Sequence, residues 1–165
     1  MTHGKEEKSA DQAFSQAVTH MTPCYQCGTC ASSCPVAKIT ERFNPREVIR
    51  LSLLGERNEV ISGDAIWLCC SCYNCHERCP QKVHVPHVLY LLRNIALHAG
   101  HSPNIYSEFA SALLNNGRLV NVSRFVENKR PILGLPPLQP TGMEALRKIL
   151  ASKGLDKFQK KEEMR

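Results

Sequence analysis

Apolar residues recur at helical spacing along much of this chain, and prolines, glycines and capping residues divide the pattern into separate helices. The strongest predicted helix opens at Pro86 and ends at Gly100. Its apolar positions are Val88, Leu89, Leu91, Leu92, Ile95 and Ala96. A second predicted helix has Asn44 as its cap, Pro45 in its first turn and Gly55 at its end. The pattern predicts an all-α protein.

The two ends of the chain are less regular. Residues 1–10 are predicted to be disordered because they offer nothing apolar to bury, and residues 11–20 to form a short helix. A helix is predicted over residues 103–117. It would turn inward Ile105, Tyr106, Phe109, Ala110, Leu113 and Leu114. Residues 118–140 contain four prolines and predict an extended segment. A last helix is predicted over residues 143–153, with Thr141 and Glu144 as its capping box and Gly154 after it.

The cysteines add chemistry to this picture, because eight of the nine fall into two copies of one pattern. Both copies read C-x2-C-x2-C-x3-C-P. The first run contains Cys24, Cys27, Cys30 and Cys34, and the second contains Cys69, Cys72, Cys75 and Cys79. This spacing binds a cubane [4Fe–4S] cluster. The sequence therefore predicts two [4Fe–4S] clusters and a role in electron transfer.

The fourth cysteine of such a run ligates the other cluster in proteins that hold two of them. We therefore predict a first cluster, at site 1, on Cys24, Cys27, Cys30 and Cys79. We predict a second cluster, at site 2, on Cys69, Cys72, Cys75 and Cys34. Each cluster would join two distant segments of the chain, so folding and metal binding would depend on each other.

Zinc and disulfides fit this pattern less well. Structural zinc sites usually take two cysteines from each of two knuckles, whereas here four cysteines crowd into an eleven-residue run, twice. The odd cysteine count and a polar start without an apolar signal region favour a reducing, cytoplasmic location. No apolar run approaches the roughly 20 residues that span a bilayer. The ninth cysteine, Cys70, is predicted to be a buried thiol.

The residues inside the two runs differ in charge. Residues 31–33 are small and polar, whereas residues 76–78 are a histidine, a glutamate and an arginine. Since charge, hydrogen bonding and exposure set cluster potentials, we expect the two clusters to have unequal reduction potentials. His76, His84 and His87 are predicted to be surface or hydrogen-bonding residues, because eight cysteines already complete two clusters.

The formal net charge of +6 belongs to the second half of the chain. Residues 1–79 carry 8 Lys/Arg and 9 Asp/Glu, and residues 80–165 carry 13 and 6. Two clusters with their thiolates would lower the total to about +2. With 6% aromatic residues and no recognisable binding motif, a partner-facing basic surface is favoured over nucleic-acid binding. Leucines at 133, 135 and 138, in a segment too broken to form its own core, favour docking of this region to a partner.

Several segments around the cysteines resemble the C subunit of heterodisulfide reductase. They are Pro23 to Cys30, Asn44-Pro45-Arg46, Leu53-Leu54-Gly55, Trp67-Leu68-Cys69 and Cys72 to Pro80. The resemblance covers roughly residues 20–100 and implies an α-helical ferredoxin fold with two [4Fe–4S] clusters. Residues 1–19 would be an N-terminal tail with a short helix, and residues 101–165 a helical, proline-rich C-terminal extension.

The resemblance also implies a function. In that family the C subunit carries electrons from a flavin- and iron–sulfur-containing A subunit to a B subunit, which reduces the disulfide (that of coenzymes M and B in methanogens). The CCG repeats of the B subunit are absent, since Cys69-Cys70 is followed by Ser71. The expected protein is a cytoplasmic electron-transfer subunit of a hetero-oligomer, with no catalytic site of its own. The alternatives are the cluster subunit of a succinate, glycolate or lactate dehydrogenase, a free ferredoxin-like carrier, and a metal-stabilised structural or nucleic-acid module.

Overall fold

The computed structural model describes residues 3–120, 122–138 and 142–154, with side chains from residue 11 onward. Within these ranges every regular element is a helix, which confirms the all-α prediction. None of the described helices is long and apolar enough to cross a bilayer. The chain divides into two compact units, Met1–Ser102 and Pro103–Arg165, and all nine cysteines belong to the first.

The first unit is built around its longest apolar helices. Its α-helices are α1 (His3–Thr19), α2 (Thr29–Ser32), α3 (Pro45–Leu53), α4 (Arg57–Ser62), α5 (Asn74–Glu77) and α6 (Val85–His98), and a 3-10 turn covers Ala65–Leu68. Helix α6 lies at the centre and contacts α1, α4, α5 and the 3-10 turn. Leu92 of α6 and Ile66 of the 3-10 turn are completely buried. The core therefore surrounds the helix with the strongest apolar pattern.

Helix α1 corrects the expected start of the chain. It begins at His3, so residues 3–10 are helical rather than disordered as their composition had suggested. Phe14 and Ala17 are buried in the core, and α1 packs against α6. Packing of this apolar face supports the helix, because tertiary contacts rather than local propensity supply most helical stability.

Helix α3 starts at the predicted cap. The Asn44 side-chain oxygen accepts hydrogen bonds from the backbone N–H groups of Arg46 at 3.0 Å and Glu47 at 3.4 Å. Pro45 occupies the first turn, and Gly55 follows the last turn with a φ of 84°. Because first-turn residues of α3 border the cysteine sites described below, the cap also positions those sites.

Replacing Asn44 with alanine is expected to destabilise the protein by about 1 kcal/mol, because two N–H groups lose their acceptor. Urea unfolding of the anaerobic, cluster-loaded protein, followed by circular dichroism, measures the effect. Asn44→Asp keeps the acceptor oxygen and is the matched control. Equal stability of the two variants would show that the cap contributes nothing.

The second unit contains more helix than its sequence predicted. Its elements are α7 (Asn104–Asn116), α8 (Arg124–Lys129), a 3-10 turn (Pro131–Leu133) and α9 (Met143–Ser152). The segment 118–140, predicted to be extended, therefore contains a helix, which the Ser123 hydroxyl caps by accepting from the Val126 N–H. The prolines of this segment all follow the helix in sequence. None of its hydrogen bonds is therefore lost to proline, which has no backbone N–H to donate. The capping box expected at Thr141 lies outside the described residues.

The apolar face of α7 is only partly covered. Ala110 and Leu114 are buried as predicted, but Ile105, Tyr106 and Phe109 are 46%, 40% and 39% exposed. Helix α9 joins α7 through a hydrogen bond from Arg147 Nε to the Leu114 carbonyl at 3.1 Å. With few elements available in this small unit, much of its apolar surface stays accessible.

Candidate iron–sulfur centres

Two cavities in the first unit are lined by cysteines, four at one cavity and five at the other. Cys24, Cys27, Cys30 and Cys79 line the cavity at site 1. Cys34, Cys69, Cys72 and Cys75 line the cavity at site 2, with Cys70 beside them. The structure thus brings together three cysteines of one run and the last cysteine of the other in both places. Which thiolates bind which cluster remains a prediction.

The cavities fit clusters better than single ions. Across the described residues, no group of three or more His, Cys, Asp or Glu side chains is arranged to hold one metal ion. Structural zinc instead needs four ligands closed tightly around one ion. Four thiols spread around a cavity match the donor set of a cubane.

The backbone of each run turns in the same way around its second cysteine, which is Cys27 in the first run and Cys72 in the second. The residues on either side of that cysteine have positive φ: Gln26 (62°) and Gly28 (85°) in the first run, Ser71 (54°) and Tyr73 (63°) in the second. A one-turn helix follows, α2 with Cys30 or α5 with Cys75. A left-handed residue other than glycine costs about 1–2 kcal/mol. Since Tyr73 adopts the turn that Gly28 makes, the turn is required in both runs but glycine is not.

More hydrogen bonds reach the sulfurs of site 1 than those of site 2. At site 1 they join Gln26 Nε2 to Cys24 Sγ (3.5 Å), Thr29 Oγ1 to Cys27 Sγ (3.3 Å) and the Val83 N–H to Cys79 Sγ (3.3 Å). At site 2 the N–H of Ser71 donates to Cys69 Sγ at 3.4 Å. Such donors favour thiolate over thiol and stabilise negative charge on a bound cluster.

Burial acts in the opposite direction on some thiols. In the metal-free chain it raises the pKa of Cys75 to about 12 and also raises the pKa of Cys30, with neighbouring thiolates adding to both shifts. At Cys27 the hydrogen bond from Thr29 lowers the pKa. Because iron binds thiolates, loading of the clusters must displace protons from the buried thiols, and acid favours loss of the metal.

The first turns of α3 and α6 border both cavities. Pro45 and Pro86 line the cavity at site 2, while the adjacent Arg46 and Val85 line the cavity at site 1. Helix N-termini carry a partial positive charge and favour nearby anions. The two cavities therefore adjoin the same helix ends, and both lie where a negatively charged cluster is stabilised.

Arg93 binds the backbone that leads into the second cysteine run at site 2. The sequence alone did not single it out. From α6, its Nε donates to the Ile66 carbonyl and its Nη2 to the Cys69 carbonyl, both at 2.8 Å. Its guanidinium also lies 6.0 Å from the Trp67 ring centroid and 5.8 Å from that of Tyr90. The sequence shows Arg93 only as the single Lys or Arg within the most apolar helix. Its two carbonyl partners are visible only in the folded structure.

Replacing Arg93 with methionine is expected to destabilise the protein by about 1.5–3 kcal/mol, because two charge-assisted hydrogen bonds are lost at partly buried carbonyls. Urea unfolding of the cluster-loaded protein measures the loss. The matched control is Arg42→Met, which removes an ion pair between exposed side chains of Arg42 and Asp64 and should cost below about 1 kcal/mol. Equal costs for the two variants would contradict a clamping role for Arg93.

Cys70 corrects one expectation: its side chain is exposed rather than buried. The preceding Cys69 has an extended backbone, with φ −65° and ψ 123°. Cys70 nevertheless borders the cavity at site 2, so its exposed thiol lies beside the assigned ligands there.

The histidines near the second run line neither cavity. His76 Nδ1 lies 3.5 Å from the Val83 carbonyl, and its ring stacks on His84 with 3.9 Å between centroids. His87 forms an edge contact with His20 at 5.6 Å between centroids. These side chains pack against one another and the backbone, while cysteines line the cavities.

Comparisons with known proteins identify the cluster content and the family of this chain. Residues 20–83 match the family model of the 4Fe–4S dicluster domain, which confirms the prediction of two [4Fe–4S] clusters. The C subunit of the H(2):CoB-CoM heterodisulfide,ferredoxin reductase of Methanothermobacter thermautotrophicus is 36% identical over 141 residues, or 82% of this chain and 76% of that protein. One of the iron–sulfur C subunits of the CoB–CoM heterodisulfide reductase of Methanocaldococcus jannaschii is 36% identical over 147 residues, covering 86% and 78%. The C subunit of the ferredoxin:CoB-CoM heterodisulfide reductase of Methanosarcina mazei is 34% identical over 141 residues, covering 82% and 86%.

Proposed function

Since this chain belongs to the family of heterodisulfide reductase C subunits, an iron–sulfur electron-transfer family, we propose that it relays electrons from a flavin-containing A subunit to a disulfide-reducing B subunit. The observation that carries the proposal is the pair of cysteine-lined cavities that adjoin the same first turns of α3 and α6. Two redox centres placed against shared helix ends suit a relay.

The ligand sets are part of the proposal. We assign Cys24, Cys27, Cys30 and Cys79 to the cluster at site 1, and Cys69, Cys72, Cys75 and Cys34 to the cluster at site 2. When bound, each cluster takes up and releases one electron at a time. The protein contributes the thiolates, the hydrogen bonds to sulfur and the walls that exclude water. At site 2 those walls include Val36, Phe43 and Leu89.

Disulfide reduction itself is placed on a partner subunit, because all eight cysteines of the two runs are assigned as cluster ligands. The chain then needs no proton donor or nucleophile of its own. Its task is to hold two one-electron centres in fixed positions between partners. Cys27 and Cys72, one at each site, are exposed, so each centre has a side that a partner can approach.

We also assign partner docking to the second unit. Large apolar side chains are exposed along residues 119–135, among them Leu119 (55%), Val120 (71%), Phe125 (66%), Ile132 (82%) and Leu133 (68%). Contiguous exposed apolar side chains are typical of interaction sites, and these residues lie close together along the chain. Replacing Ile132 and Leu133 together with aspartate in the full chain tests it: association should weaken while iron content stays unchanged. Undiminished association would remove this assignment.

Anaerobic purification from the native cell tests the relay itself. We expect this chain to co-purify with a flavoprotein and a CCG-repeat protein, and to carry about eight iron atoms per chain. A preparation that lacks only this chain should fail to pass electrons from flavin to disulfide, and adding the chain back should restore transfer. Purification as a free protein would point to a ferredoxin-like carrier. Purification with a succinate, glycolate or lactate dehydrogenase would point to that complex instead.

A further inference from the structure

We propose that Arg46, together with hydrogen bonds to sulfur, holds the reduction potential of the cluster at site 1 above that of the cluster at site 2. The inference rests on the ligand sets assigned above. It ranks the two centres, whose inequality was expected from the sequence but whose order was not. It also names a residue that sets the order.

Arg46 forms part of the wall at site 1. It extends from the first turn of α3 and lines the cavity together with Cys24, Cys27, Cys30 and Cys79. Its guanidinium packs over the turn at Gly28, where a β-carbon would lie 3.9 Å from Nη1. Arg46 is also exposed to solvent, so its charge acts on site 1 with partial screening.

The same side chain also acts through a neighbour. Arg46 Nε donates to Gln26 Oε1 at 3.3 Å, and Gln26 Nε2 donates to Cys24 Sγ at 3.5 Å. The amide of Gln26 is thereby oriented with its N–H groups toward sulfur, and the guanidinium polarises it in the same direction. Arg46 is thus a positioning residue for a sulfur hydrogen bond as well as a nearby charge.

Site 2 has a different environment. No charged side chain lines its cavity; apart from Tyr73 and the cysteines, the lining consists of Val36, Phe43, Pro45, Pro86 and Leu89. Two of its assigned ligands, Cys34 and Cys75, are only 7% and 8% exposed, whereas none of those at site 1 is buried. The guanidinium of Arg93 lies outside this lining and is directed to the carbonyls of Ile66 and Cys69.

Charge decides the order of the potentials. Reduction adds one electron to a centre that is already negative with its four thiolates. A nearby cation and donors to sulfur stabilise the reduced form and raise the potential, whereas burial among apolar side chains disfavours the added charge and lowers it. All three effects place site 1 above site 2. When one electron is shared between the two clusters, it therefore resides mainly on the cluster at site 1.

A redox titration of the isolated full-length protein, prepared anaerobically with both clusters and followed by electron paramagnetic resonance, tests the ranking. Two midpoints are expected, and the higher one should belong to the signal that Cys27→Ala removes. Arg46→Met should lower that midpoint alone, and Arg46→Lys should restore part of the shift. Arg50→Met is the matched control on the same helix, since Arg50 pairs with Glu47 and lines neither cavity. It should move neither midpoint.

Gln26→Asn provides a second route if Arg46→Met fails to hold iron. Asparagine tolerates the left-handed backbone at this position, but its shorter amide cannot bridge Arg46 and Cys24. The higher midpoint should again fall alone. Coincident midpoints, a higher midpoint at site 2, or an unchanged midpoint in the variants would overturn the inference. The titration needs no partner subunit, so its failure is distinct from a failure of co-purification.

Discussion

Replacing Cys34 with serine is expected to remove the cluster of site 2, although Cys34 belongs to the first cysteine run. Its thiol lines the cavity of Cys69, Cys72 and Cys75, not that of its own run. Iron should fall from about eight to about four atoms per chain, since each cubane contains four. Cys79→Ser should cause the reciprocal loss at site 1. The corresponding alanine variants cannot supply a ligand and should show the same losses.

Spectra of matched variants identify the cluster that is lost. Cys27→Ala removes a site 1 ligand and Cys72→Ala a site 2 ligand, and both side chains are exposed. The signal missing in Cys34→Ser should match the one missing in Cys72→Ala. Cys70→Ser, which removes an exposed thiol outside both ligand sets, should retain both signals. If Cys34→Ser instead matched Cys27→Ala, the crossed assignment would be wrong.

Removing the iron is expected to destabilise the first unit strongly. Four residues other than glycine hold positive φ in or directly after the cysteine runs: Gln26, Ser71, Tyr73 and Lys82. Their conformations cost at least about 4 kcal/mol together, a large part of the 5–15 kcal/mol that stabilises a typical domain. Clusters bound across both runs offset this cost. Without them, the melting temperature should fall by roughly 15–30 °C.

Thermal unfolding followed by circular dichroism, before and after anaerobic chelation, measures this fall. Amide exchange then locates it: residues 24–34 and 69–79 should lose protection first. Helix α7 is the internal control, because the second unit contains no cysteine and should keep its exchange rates. Adding iron and sulfide should restore the melting temperature. An unchanged melting temperature in the iron-free protein would show that the clusters do not support the fold.

The helices could be predicted where local signals and packing agree. Asn44 with Pro45 predicts the start of α3, and the apolar face of α6 predicts its burial, because both signals depend on neighbours within one or two turns. The prediction was wrong for residues 3–10, 124–129 and 131–133, where composition and prolines suggested no helix. Residues 3–10 are the first turns of a longer helix whose later residues pack in the core. The helix at residues 124–129 is stabilised by the Ser123 cap, and both effects prevail over the low local helix propensity.

The sequence by itself determined the chemistry of this protein, because cluster ligation depends on the spacing of cysteines within two short runs, and that spacing is visible in the chain. Only the tertiary structure decided the surroundings of those ligands. Arg46 and Arg93 are 20 or more residues from the groups they contact, at Gln26, Ile66 and Cys69. No local pattern encodes such distances, since charge and hydrogen bonding around a cluster arise where separate helices meet. Spacing therefore predicts what is bound, and packing decides which charges and hydrogen bonds surround it.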